Sequence, residues 1–455
     1  MSLHTGARHF ADPPPSALSG DLVHLAAEVR GEVARRLASS EAPVASPSAA
    51  RSGAVRARAA AFAQRALDEK AASRVAAGDR PLDQKDEQLV VGMALDMLFG
   101  LGLLQRFVDD SAVENIDVNG CECAFVTYAG GRKEMVGPIA SSDEELITMV
   151  RNAGARFGLS ERRFDAAQPE LDLRLPDGSR LSAVMSVTER PVVDIRRHRL
   201  GDQDLRSLVG LGTVSEEMVS FLSAAVRAKR NILVSGAMNA GKTTLLRALA
   251  AEIEPAERVV TIEQSLELGL DRQVERHPDC VAMEARLANT EGEGAIGMAR
   301  LVRRSLRMNA SRVIVGEVLG DEIIPMLNAM SQGRSGSMGT IHADSSAGVF
   351  RRIAAYAVQS PERLPLEATN LLIAGAIHFV VHMDVLRRPG QAPLRHVSSI
   401  REVVDADGPL VISNEIWRPG PAGQALAGSP LTDSSRGALG EAGYTPGRQA
   451  GASRW

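Results

Sequence analysis

Apolar positions along the chain change their period twice, and each change marks a different kind of element. From about residue 86, Leu89, Val90, Met93, Met97, Leu98, Leu101 and Leu104 recur at helical spacing and predict an amphipathic helix. Shorter apolar runs follow: 113–118 and 124–128 predict strands, Gly130-Gly131 a turn, and 144–157 a helix. Residues 171–175 and 181–185 flank Pro-Asp-Gly-Ser, a hairpin signal, and 192–195 gives one more strand. From Asn231 onward, strand-like runs at 231–235, 259–263, 312–316, 337–342 and 378–383 alternate with helical ones. That alternation predicts an α/β domain with a mainly parallel sheet.

The two ends of the chain lack such periods. Residues 1–85 are rich in Ala, Arg, Ser and Pro and predict disorder or isolated helices, and residues 419–455, rich in Gly, Pro, Ser and Ala, predict a disordered tail. Between them stand a smaller α/β domain at 86–202 and a larger one at 203–418. A length of 455 residues with 44% hydrophobic content accommodates this organisation.

Charge and cysteine usage narrow the function classes. The formal net charge is −4, and the first 80 residues hold 11 Lys and Arg against 8 Asp and Glu, an excess of three too mild for a nucleic-acid arm. No nucleic-acid partner is expected. Cys121, Cys123 and Cys280 form neither a CxxC pair nor an even framework, which fits a reducing, cytoplasmic compartment. The apolar stretches at 89–104 and 371–381 are interrupted by Asp96 and His378 and are too short to span a bilayer. The first residues do not read as a signal peptide. Membrane association is therefore expected to be peripheral and through partners.

The strongest chemical signal is Gly236-Ala237-Met238-Asn239-Ala240-Gly241-Lys242-Thr243, which fits G-x-x-x-x-G-K-[ST] directly after an apolar strand. Glycines let successive backbone N–H groups curl around phosphate oxygens, and the helix N-terminus adds positive potential. Lys242 reaches the terminal phosphates, Thr243 ligates magnesium, and Thr244 opens the helical run that follows. ATP and Mg2+ are the expected ligands.

Hydrolysis needs carboxylates as well. Glu263 and Glu317 end the strand-like runs at 259–263 and 313–317, where ligands collect in open α/β sheets. Both also read as solvated strand ends. His342 ends a further strand, placed either to contact the γ-phosphate or to bond backbone at a strand end. The segment 333–337 before it is glycine-rich enough to move between nucleotide states.

Taken together, Thr261-Ile262-Glu263, Ile314-Val315-Gly316-Glu317 and 336–343 resemble the Asp box, Walker B and His box of the type II/type IV secretion superfamily ATPases, in particular the Tad/Flp pilus-assembly (CpaF-like) branch. The segments 175–180 and 194–197 are similar to that branch's N-terminal domain. The resemblance runs from about residue 87 to about 417. It implies a RecA-like P-loop motor domain behind a smaller α/β domain, a hexameric ring with ATP between the two domains, and work on inner-membrane platform proteins. It also implies Glu263 as catalytic base, Glu317 as Walker B acid holding magnesium through water, and His342 as the His-box residue. Gln264, Leu319 and Arg334-Ser335-Gly336 depart from the family pattern.

The hairpin adds one expectation from register. Setting Leu173 opposite Leu181 also sets Arg174 opposite Arg180, a like-charge pair that is destabilising unless an anion sits near it. With Arg196 and Arg197 from the next strand, these arginines form a candidate basic wall for ATP phosphates; splaying into water or pairing with Asp172 is the alternative. Arg300, Arg303, Arg304 and Arg307 lie on a helix-like run that reads as a solvated face for most of them, with bridging between subunits as the alternative. The leading function is a mechanochemical ATPase for pilus assembly or protein secretion. A nucleotide-gated scaffold with weak hydrolysis and a RecA-like DNA translocase are the alternatives, and an aromatic content of 3% speaks against the latter.

Overall fold

The computed structural model describes residues 20–39, 53–78, 80–129, 131–158, 163–197, 203–286, 288, 292–333, 335–387, 393–421 and 423–445. The chain divides into two units, Met1–Arg199 and Leu200–Trp455.

In the first unit, three helices share one core: α1 (Gly20–Ser39), α2 (Gly53–Ala76) and α3 (Gln84–Phe99). Leu25, Val29 and Val33 of α1 meet Ala59, Ala63 and Ala66 of α2 and Val90, Met93 and Ala94 of α3. Alanines spaced four and three apart make one face of α2 small, so its neighbours approach closely. Arg36–Glu69 at 2.8 Å, Lys70–Glu28 at 2.6 Å and Arg56–Asp96 at 3.4 Å link the helices at their rims. Of the two expectations for this stretch, the helical one holds at Gly20–Ser39 and Gly53–Ala76, with the helices packed together rather than isolated. Their composition hid a core built from alanine rather than from large aliphatics.

After α4 (Gln105–Asp109) come β1 (Val113–Asn119), β2 (Ala124–Tyr128), β3 (Lys133–Val136), α5 (Asp143–Phe157), β4 (Glu170–Arg174), β5 (Arg180–Val184) and β6 (Val192–Arg196). The strands form one antiparallel sheet in the order β3-β2-β1-β6-β5-β4. Leu146, Val150 and Ala153 of α5 pack on Ile116, Leu181 and Ile195. Arg190 grips Asp143 in α5's first turn through two hydrogen bonds of 2.8 and 2.9 Å. That pairing, more than any other contact, holds the Asp143 carboxyl down at about 2.

The second unit holds α6 (Leu205–Gly210), α7 (Glu216–Arg227), β7 (Ile232–Gly236), α8 (Lys242–Ala250), β8 (Val259–Glu263), β9 (Cys280–Glu284), α9 (Met298–Ser305), β10 (Arg312–Val318), α10 (Ile323–Ser331), β11 (Met338–His342), α11 (Gly348–Gln359), α12 (Leu366–Ala376), β12 (Phe379–Leu386), β13 (Leu394–Asp407), β14 (Leu410–Pro419), β15 (Ala425–Ala427) and α13 (Asp433–Glu441). The sheet order is β15-β14-β13-β12-β7-β11-β10-β8-β9. The six strands from β12 to β9 run parallel, and β13 to β15 extend the sheet antiparallel. Ile232 and Val234 face a layer containing α6, α7 and α8, and Leu233 faces one containing α9 to α12. Burial on both faces explains why these strands read as continuous apolar runs.

The expected disordered tail is corrected up to Thr445. Phe221 of α7 makes edge contacts with Trp417 and Tyr444 at centroid distances of 5.0 and 5.6 Å, and Leu431 and Leu439 are buried in the same core. A few well-spaced anchors in a small-residue background suffice for this docking, and they leave little periodicity to read. Among the described residues, no single helix is long and apolar enough to cross a membrane.

Candidate functional site

The loop from Gly236 to Lys242 leaves the C-terminal end of β7 and delivers the chain into α8. A Cβ on Gly236 would meet the Met383 carbonyl at 2.5 Å, and Gly241 adopts φ +94 directly before the helix. Glycine is needed at both positions for the loop to wrap the helix N-terminus. Ala237, Met238 and Asn239 are exposed, Ala240 and Lys242 buried, Thr243 half-buried and Thr244 exposed.

Three side chains from separate elements converge beside this loop. Lys242 Nζ donates to the Ala237 carbonyl at 3.0 Å and lies 3.2 Å from His342 Nδ1 and 3.8 Å from Glu317 Oε1. His342 Nε2 lies 3.0 Å from the same Glu317 oxygen. Donor–acceptor logic then assigns a neutral imidazole that accepts from Lys242 at Nδ1 and donates from Nε2 to the carboxylate. The convergence follows from topology. β11 is inserted between β7 and β10, so His342, paired with Gly236, stands between the loop and Glu317.

Glu263 stands apart from this arrangement in burial. Only 2% of it is exposed, and its Oε2 accepts from the backbone N–H groups of Glu267 and Leu268 at 2.7 and 2.8 Å. Gln264 follows it into that turn. Leu319 is exposed, and its amide and that of Gly320 donate to the buried carboxylate of Glu322.

In the first unit, register aligns Arg174 with Arg180 and Arg180 with Arg196, so three arginines form one row across β4, β5 and β6. Arg180 lies 3.6 Å from Asp172. Arg174 Nε is buried with no hydrogen-bond partner. Arg197 turns elsewhere, toward Asp177 at 3.8 Å and the Asp110 carbonyl. On α9, Arg303 pairs with Glu362 at 2.9 Å.

The segment before β11 differs from its expected mobility. The amides of Gly336 and Ser337 donate to Asn231 Oδ1 at 2.8 and 3.0 Å, and Ser337 Oγ accepts from the Val313 amide at 3.1 Å. It also lies at the N-terminal end of β11, a strand's length from His342. Glycine content alone could not show these anchors. Arg334 lies outside the described residues.

Sequence reasoning passed over other contributors. Arg395 of β13 donates to the Asn239 carbonyl at 2.9 Å, across 156 positions of sequence. Ser235 and His382 Nδ1 lie 2.9 Å apart beneath the loop. Neither pairing carries a local signal; each exists because β12 pairs with β7 and β13 pairs with β12.

Thr243 and Glu317 offer the hard oxygen donors that suit magnesium. Among the described residues no cluster of three or more His, Cys, Asp or Glu could hold a metal. An ion here would therefore complete its shell with water and phosphate oxygens.

Residues 100–389 match the family model described as type II/IV secretion system protein. A Mycobacterium tuberculosis protein whose name assigns it provisionally to conjugal transfer is 31% identical over 314 residues, covering 67% of this chain and 86% of that protein. The type IV secretion system protein PtlH of Bordetella pertussis is 37% identical over 282 residues, 55% of this chain and 79% of its own. The crystal structure of the Brucella suis VirB11 ATPase with sulphate is 26% identical, covers 69% of this chain and 96% of that one, and superposes with a TM-score of 0.36.

Proposed function

The chain belongs to the type II/IV secretion system ATPase family, and from that premise we propose that it is a motor that couples ATP hydrolysis to pilus assembly or protein secretion at the cytoplasmic face of a membrane. The observation that carries this reading is the contact of Lys242 with both His342 and Glu317 beside a phosphate-binding loop.

The loop amides and Lys242 receive the β- and γ-phosphates. Binding draws Lys242 away from His342 and Glu317, so the trio exchanges an internal contact for one with the phosphate. Thr243, with Glu317 through water, would hold a magnesium ion, which would neutralise charge on the phosphate oxygens. His342 then faces the γ-phosphate and loses that partner on hydrolysis, which gives the strand end a nucleotide-dependent contact. The row Arg174, Arg180 and Arg196 is an anion-receiving face, since like charges in register are stabilised by a shared anion. Membership of the Tad/Flp branch, a hexameric ring and inner-membrane platform partners complete the proposal, on the motifs that resemble that branch.

The test is steady-state ATP hydrolysis with magnesium by the wild type, Lys242→Ala and Glu317→Gln, with oligomer size recorded in the same samples. Turnover that disappears in both variants supports the motor. Nucleotide binding without wild-type turnover in any assembled state would replace it with the gated scaffold.

A further inference from the structure

The turn that carries the chain from His342 into α11 is tied to the antiparallel extension of the sheet. Ser345 Oγ accepts from the Gly348 amide at 3.0 Å, where the helix starts, whereas Ser346, 2% exposed, meets side chains of β13 and β14. The Ser346 hydroxyl lies 2.8 Å from Ser399 Oγ and accepts from Arg401 Nε at 3.1 Å. Ser399 Oγ donates to Glu415 Oε1 at 2.6 Å, and Arg401 Nη2 reaches the same oxygen at 3.2 Å. Each hydroxyl has one proton, and Ser399 gives its own to the carboxylate, so Ser346 is the donor in the serine pair. Glu415 Oε1, 3.3 Å from Ser346 Oγ, is a longer second acceptor for that proton. The four groups thus close a ring in which Arg401 donates to Ser346 and Glu415, Ser346 to Ser399, and Ser399 to Glu415.

The ring is also joined to the root of the phosphate loop. His382 pairs in register with Ser399 on one side and with Ser235 on the other, and Ser235 immediately precedes Gly236. The segment leaving His342 and the strand row leading to the loop therefore meet at Ser346 and Ser399.

A buried ion pair gives little net stability over apolar groups of the same shape. What a closed set of charge-assisted hydrogen bonds supplies is direction, because its members polarise one another and shift together. His342 is where direction is needed. Its side chain is 29% exposed and its contacts with Lys242 and Glu317 are ones an anion can redistribute, so its place depends on the backbone that carries it.

We infer that Arg401 and Glu415 are positioning residues for His342, acting through Ser346 to hold the end of β11 while the imidazole changes partners. The inference rests on the reading of His342 as a γ-phosphate contact, and adds to it residues of two strands that carry none of the phosphate-binding motif.

The test uses the full chain with Ser346→Ala, Glu415→Leu and Glu415→Gln, each alone and combined with His342→Ala. Its readouts are kcat and KM for ATP, Tm, and the NMR resonance of the His342 ring Cε1 in nucleotide-free protein, assigned by its absence from His342→Ala. Ser346→Ala and Glu415→Leu are expected to lower kcat about tenfold with KM within about threefold, because a misplaced contact acts on turnover rather than on binding. In the His342→Ala background the same changes should have less than about a twofold further effect, the non-additivity of residues that act through one another. Glu415→Gln keeps an acceptor for Ser399 and should retain most of kcat. The His342 resonance should move in Ser346→Ala and Glu415→Leu, while that of His277, at the opposite edge of the sheet before β9, stays in place. Equal losses of kcat with and without His342, or a His342 resonance unmoved in both variants, would overturn the inference. If the wild type shows no turnover, the motor reading fails and the resonance alone decides the inference, so the two failures are told apart.

Discussion

At the N-terminal ends of the second unit's sheet, Asn231 donates to the Met330 and Ala376 carbonyls and accepts from the Gly336 and Ser337 amides, which uses both ends of its amide. Beside it Arg312, 1% exposed, holds Glu257 through two bonds of 2.6 and 3.0 Å and donates to the Val226 carbonyl at 2.9 Å. Burial raises the Glu257 carboxyl, and the bidentate guanidinium outweighs it and leaves the group below its ordinary value. At the C-terminal ends, Lys242, His342 and Glu317 touch one another across 3.0 to 3.8 Å, and the side chains of His342 and Glu317 are 29% and 38% exposed. The first network joins the ends of several elements and leaves its groups no other partner to seek. The second is loose enough for an anion to redistribute its contacts. A buried polar network fully satisfied rigidifies a fold, while charges kept near solvent remain able to change partners.

That contrast breaks most visibly at Arg312. Arg312→Ala removes a fully buried side chain and leaves Glu257 only the exposed Lys229, 3.1 Å away, and should cost about 3 kcal/mol by chemical denaturation. Lys242→Ala is the sharpening counterpart: its loss should remove turnover yet cost less stability than Arg312→Ala, since the carboxylate it leaves, Glu317, is 38% exposed and reaches solvent. An equal loss of stability in both variants would erase the distinction between the two ends.

Acid probes the same contrast through His378. Its Nδ1 accepts from the Asn231 amide at 3.0 Å, and burial lowers it from the usual value near 6.5 to about 4. The unfolded chain therefore binds more protons between pH 6.5 and 4, so this contribution is intact above pH 6.5 and is lost as pH falls toward 4. Burial lowers His382 as well, so it adds in the same direction. Tm should drop on acidification across that window, and His378→Gln should flatten the slope. An unaltered slope in the variant would remove His378 from the account.

The smallest effect is expected at Arg395. Arg395→Gln withdraws the donor that steadies the Asn239 carbonyl, and should raise KM for ATP a few-fold, corresponding to about 1 kcal/mol, with kcat nearly unchanged. A fall in kcat alone would mean that Arg395 acts on chemistry rather than on the shape of the loop.

The sequence by itself determined the parts whose signal is local. Strand-like runs carry the parallel sheet because each is buried on both faces, and the phosphate-binding loop is legible because glycine, lysine and threonine act through backbone geometry within eight positions. The Arg174–Arg180 pairing was legible for the same reason, as a short turn fixes the register of its hairpin. Only the tertiary structure decided the rest. The alanine core of α1 to α3 depends on helix approach rather than on hydropathy, and the docking of the tail depends on Phe221 more than 190 positions before Leu431 and Tyr444. Glu263 and Glu317 look alike in sequence, each closing an apolar strand. They differ because Glu263 folds across Gly316 to the Glu267 and Leu268 amides while Glu317 meets Lys242 and His342, and the insertion of β11 that brings those partners together is not written in any single segment.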